Sequence, residues 1–143
     1  MFGRLVFSIA VCAVAATPAL AESCAGEPVA PAFVSPADLQ KQTPAQAEAS
    51  KHDAFIEIKN WQRDLKSFRD CLTSLSNEDR RQLTGLDPSK DADKIAGLQR
   101  DAKMATHEFD RTVDLEEKVV NEFHAIQAAF CARKDVDKSS CPK

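Results

Sequence analysis

The sequence predicts an all-α protein: a long antiparallel two-helix hairpin, coiled-coil-like in its repeat, behind an extended N-terminal proline-rich arm. Three observations predict it. Two apolar stripes advance in alternating steps of three and four residues, a breaker-rich segment separates them, and Pro28, Pro31 and Pro36 crowd the stretch ahead of the first stripe.

The chain opens on a segment that reads as an address. Arg4 supplies a positive charge, Leu5 to Ala16 form an apolar run, and Ala19-Leu20-Ala21 is a small-x-small cleavage site. A spanning helix needs about 20 apolar residues, and Thr17 and Pro18 break the run before that length. Residues 1–21 are therefore expected to be a cleaved signal peptide, with no membrane insertion afterwards and a location in the periplasm or outside the cell. Lipid attachment is not expected, because neither Cys12, inside the apolar run, nor Cys24, after Glu22 and Ser23, stands at the cut. Removing 21 of the 143 residues leaves 122, enough for one domain with a modest core. The signal carries one cation and no acid, so a formal charge of −3 becomes −4 in the mature chain. Mild acidity without a block of one sign gives no electrostatic footprint for nucleic acid or an anionic membrane.

Residues 22–42 form the arm. Each proline fixes φ and removes a donor, which favours extended backbone with few internal hydrogen bonds, although Ser35-Pro36-Ala37-Asp38 can open one short helix through Gln42. Residues 43–143 form the hairpin domain with a short C-terminal tail. Thr43 can cap a helix, Pro44 fits its first position, and Gln46 completes a capping box. From Ala54 the stripe runs Ile58, Trp61, Leu65, Phe68, Leu72 and Leu75. Residues 76–88, with Asn77, Gly85 and Asp87-Pro88, read as the connection, with a turn of helix available from Glu78 to Leu83. The second stripe runs Ile95, Leu98, Ala102, Ala105, Phe109, Thr112, Glu116, Val119, Phe123, Ile126 and Phe130. Only Glu116 puts charge on that seam. No Pro or Gly interrupts the second stripe between Leu98 and Lys134, so a helix of roughly 43 residues, about 64 Å long, is expected. Arg133 and Lys134 would complement its C-terminal dipole. Phe55, Val113, Leu115 and Val120 fall beside the seam, and either the arm or a second hairpin in a four-helix dimer should cover them.

Cleavage discards Cys12 and leaves Cys24, Cys71, Cys131 and Cys141, an even set that suits two disulfides in an oxidising compartment. No two are close enough in sequence for a zinc ribbon or a thioredoxin-type site. In a straight hairpin Cys71 lies near the turn and Cys131 near the far end, ~54 Å away, far beyond the about 7 Å between Cα atoms that a disulfide tolerates. Cys24 can reach Cys71 if the arm folds back along the first helix, and Cys131 can close a local loop with Cys141. The alternative joins Cys24 to Cys131 or Cys141 and leaves Cys71 a free thiol. Cys24, Pro28, Pro31 and the run Phe68-Arg69-Asp70-Cys71-Leu72 together resemble a group of small exported bacterial helical proteins of uncharacterised function. These have a cysteine after the signal, a proline-rich stretch and an aromatic-x-x-Cys-Leu helix. The resemblance covers the arm and first helix, supports Cys24 with Cys71, and implies no activity.

The residues that carry chemistry are scattered. His107-Glu108 lacks the second histidine of a zinc motif, because position 111 is Arg, so His107 reads as a solvated residue of the outer face. His124 and Cys131 stand about 10 Å apart along one helix, too far for a dyad. His52 is expected to face Asp114 and Glu117, as a surface charge contact or a weak metal site. Trp61, Phe68, Phe109, Phe123 and Phe130 occupy seam positions and read as core rather than a ligand cage. With glycine at positions 3, 26, 85 and 97 alone, no glycine-rich phosphate loop exists. No catalytic, cofactor-binding or metal residues are expected. The function expected is that of an exported, non-enzymatic binding or structural protein acting through helix–helix interaction, with itself as a homodimer or with another protein. The rival is a periplasmic stress chaperone or scavenger holding unfolded protein, a lipid or a metal.

Overall fold

Thr43 starts the first long helix by the local chemistry its sequence offers. Its hydroxyl accepts from the Gln46 backbone N–H at 3.3 Å, and the Gln46 side chain accepts from the Thr43 N–H at 3.0 Å. The computed structural model describes residues 24–139, 141 and 142. The expected signal, with Ala19 and Ala21 at its cleavage site, lies outside the described residues. Three helices follow in order: α1 (Pro36–Leu39), α2 (Pro44–Leu83) and α3 (Ala92–Ala132). The described residues contain no strand.

The arm is extended from residue 24 to 35 and then forms α1, capped by Ser35, whose hydroxyl accepts from the Asp38 N–H at 3.1 Å. The helix stops at Leu39 rather than reaching Gln42. Lys41 and Gln42 close tight turns onto Asp38 and Leu39, which reshapes the chain before Thr43, a residue that Pro44 holds in extended backbone.

The connection departs from the expected segment at 76–88. Helix α2 continues through Leu83, and residues 84–91 make the turn. Ser76 explains the overrun: it is 7% exposed against α3, while Glu78 holds Arg81 and Gln82 along the same helix. Packing thus outweighs the weak helix preference of Ser76 and Asn77. Gly85, at φ 94°, supplies the left-handed residue that ends the helix. Because α2 is longer, Cys71 sits partway along the hairpin instead of near its turn.

Helices α2 and α3 pack antiparallel, as Gln62 with Glu116 and Arg69 with Thr112 show. Ile58, Trp61, Leu65, Val119, Phe123, Ile126 and Phe130 form the core, joined from the N-terminal side by Leu39 and Ala47. Phe68 and Phe109, the remaining seam aromatics, are half-buried. Cys24 bonds Cys71, with Cα atoms 5.8 Å apart, and Cys131 bonds Cys141 at 5.9 Å. Cys71 is therefore no free thiol.

Candidate functional site

The arm covers one face of the hairpin and leaves the other bare. From the Cys24–Cys71 bond the arm runs along the α2–α3 seam. The Pro28 carbonyl accepts from the Trp61 indole N–H at 3.2 Å, Glu27 pairs with Arg111, and the Phe33 ring packs on Phe123 at 6.1 Å. Leu115 lies on this covered side and packs against the core.

Arg133 locks the end of the arm. It lies outside α3, as the cap residue, and is 7% exposed. Its guanidinium donates to the Leu39 carbonyl at 2.6 Å and the Gln42 carbonyl at 2.8 Å. Asp135 accepts from the same guanidinium at 2.9 and 2.8 Å, and this pairing lowers the Asp135 carboxyl below its usual range. The expected dipole role of Arg133 is thus replaced by a clasp on carbonyls at the end of α1.

The opposite face is open. With each helical residue advancing by about 100°, Phe55, Gln62, Arg69, Thr73 and Arg80 of α2 fall on one side. Thr106, Phe109, Val113, Val120 and Gln127 of α3 fall on the same side. Phe55 is 43% exposed and Val113 45%; Val120 is partly buried against the core. Phe55 touches the other edge of the Phe123 ring, 6.3 Å between centroids, so Phe123 is sandwiched between Phe33 on the strapped side and Phe55 on the open one.

A polar ladder crosses the middle of this face. The Glu116 carboxylate accepts from Gln62 at 2.9 Å and pairs with Arg69. Arg69 also donates to the Thr112 hydroxyl at 2.8 Å and to the Thr112 carbonyl, and it lies over the Phe109 ring at 5.7 Å. The seam charge noted in the sequence is therefore matched. Arg69 escaped notice because it stands beside the stripe, and only the register between the helices brings it to Glu116.

The histidines do not converge. His107 and His124 are exposed. His52 borders a shallow groove with Glu48, Lys51, Phe55, Phe123 and Gln127 and does not face Asp114 and Glu117, contrary to expectation. The later turn slides α3 along α2 and brings Gln127 to the level of His52. Toward the hairpin tip, burial pushes the Asp79 carboxyl up, aided by the negative charges of Asp101 and Glu78. Among the described residues no group of three or more His, Cys, Asp or Glu side chains is placed to hold a metal ion.

No family model, curated protein or solved structure matches this chain.

Proposed function

We infer that this protein is exported and acts by binding, through helix–helix contact on the open face of its hairpin, without catalysing a reaction. The half-exposed Phe55 and Val113, on the one face the arm leaves bare, carry this reading. Two disulfides suit an oxidising compartment. The leader-like residues 1–21 suit export, and no described helix is long and apolar enough to cross a membrane.

Two measurements test the reading. The protein recovered from exporting cells is expected to begin at Glu22 and to weigh less than the reduced chain by the hydrogens lost in two disulfides. A photo-crosslinking side chain in place of Val113 is expected to trap a protein in those cells. The same group in place of Asn60, exposed on the outer side of α2, should trap none. No adduct at Val113 would sink the reading.

The second reading, a periplasmic stress chaperone or scavenger, draws on the same exposed residues. It is favoured if the protein suppresses aggregation of a denatured client, and it fails if a molar excess has no effect.

A further inference from the structure

We propose that the partner of the open face is a second copy of this chain, stacked face to face with its turn beside the first copy's turn, as a four-helix dimer. The proposal rests on the helix-binding reading above and names its partner.

Charge decides the arrangement. Over the middle of the open face the α2 rim carries Lys59, whose ammonium lies over the Phe55 ring, and Lys66, and the α3 rim carries Asp110 and Glu117, all four exposed. Nearer the tip both rims turn basic, with Arg80 on α2 and Lys103 on α3. Lys66 pairs with Asp70 on its own helix, while Asp110 and Glu117 have no partner among the described residues. A two-fold axis parallel to the helices lays α2 of each copy against α3 of the other, so the basic rim meets the acidic rim twice. Turning the second copy end over end would set α2 on α2 and place like charges together, which is unfavourable.

The levels agree as well. Gln62 lies opposite Glu116 and Arg69 opposite Thr112, so Lys66 stands at the height of Val113. In the aligned dimer it falls between Asp110 and Glu117 of the second copy, and Lys59 falls one turn from the same Glu117. Phe55 meets the stretch from Val120 to His124, and Val113 is covered by the stem of Lys66. The face from Phe55 to Arg80 is about 38 Å long. At two helix widths of ~10 Å it offers on the order of 750 Å² per copy, close to the roughly 800 Å² per partner of a standard specific interface. All neighbouring helices are then antiparallel, as in an up-down bundle, and both arms stay on the outside.

Light scattering on the oxidised mature chain across the micromolar range is expected to give twice the monomer mass, falling toward one at high salt. The variant Lys59→Glu/Lys66→Glu makes both rims acidic, and Asp110→Lys/Glu117→Lys makes both basic. Each alone is expected to be a monomer with wild-type helix content by circular dichroism, while an equimolar mixture recovers the dimer. That recovery cannot come from misfolded chains. Wild type that stays monomeric overturns the inference but not the reading beneath it, which the Val113 cross-link tests separately. Charge variants that dimerise alone, or a mixture that does not, overturn it as well.

Discussion

Glu116 shows how one residue can break a pattern and still stabilise the fold. Its side chain is 28% exposed and that of Arg69 16%, so neither is bathed in water, and without the other each would lose its charged partner and keep only neutral ones, Gln62 for Glu116 and Thr112 for Arg69. Arg69→Ala and Glu116→Ala are each expected to cost about 1–3 kcal/mol, the usual range for losing a hydrogen bond to a charged group that stays partly buried. A double-mutant cycle by urea melts checks this, and additive losses would show that the two residues act independently. Asp79 works in the opposite sense. Its pKa is raised in the fold, so the native state binds that proton more tightly than the unfolded chain, and the stability it adds at low pH is lost as pH rises through the folded value. Asp79→Asn is therefore expected to melt higher than wild type at pH 7. The difference should shrink as pH falls through the raised folded value and be gone below the unfolded carboxylate value of about 3.9, and an equal gain at every pH would contradict the assignment. The stripe disclosed Glu116 as an oddity, but neither Arg69 nor Asp101 could be matched to its partner from one chain, because each pair spans two helices.

Among the elements, the arm has the fewest bonds of its own, since residues 24–35 form no helix. It is held at one end by Cys24–Cys71 and at the other by Arg133. In Cys24→Ser/Cys71→Ser the lost loop closure, 47 residues in separation, is expected to cost about 3–4 kcal/mol. Trp61, the chain's single tryptophan, lies under the arm and reports its release. Its emission should shift to the red in that variant and stay unchanged in Cys131→Ser/Cys141→Ser, which leaves the arm bonded. The start of α2 was legible because capping is a local matter of Thr43, Pro44 and Gln46. Its end was not, because Ser76 and Asn77 look like breakers until the surface of α3 is placed against them.

Across the whole molecule, stabilising features stop short of the tip. Helix α1, the Cys131–Cys141 bond and the Arg133 clasp lie at the end away from the turn, and the arm reaches toward the turn only as far as its bond to Cys71, while the tip beyond is a bare helix pair with small seam residues such as Ser76, Ala102 and Ala105. Amides of 75–83 and 95–105 are expected to exchange with solvent faster than those of 54–65 and 119–130. Uniform protection along both helices would contradict that gradient. By itself the sequence determined the helical class, the two stripes and the extended arm, because each follows from periodicity or proline within a single segment. It also limited which cysteines could meet, since chain length bounds reach. Only the tertiary structure decided the position of the turn, and with it the register that joins Arg69 to Glu116 and sets His52 beside Gln127. The arm's choice of one face, which leaves Phe55 and Val113 bare on the other, was also a tertiary outcome. Register and facing depend on how two surfaces fit together, and that fit is not a property of either segment alone.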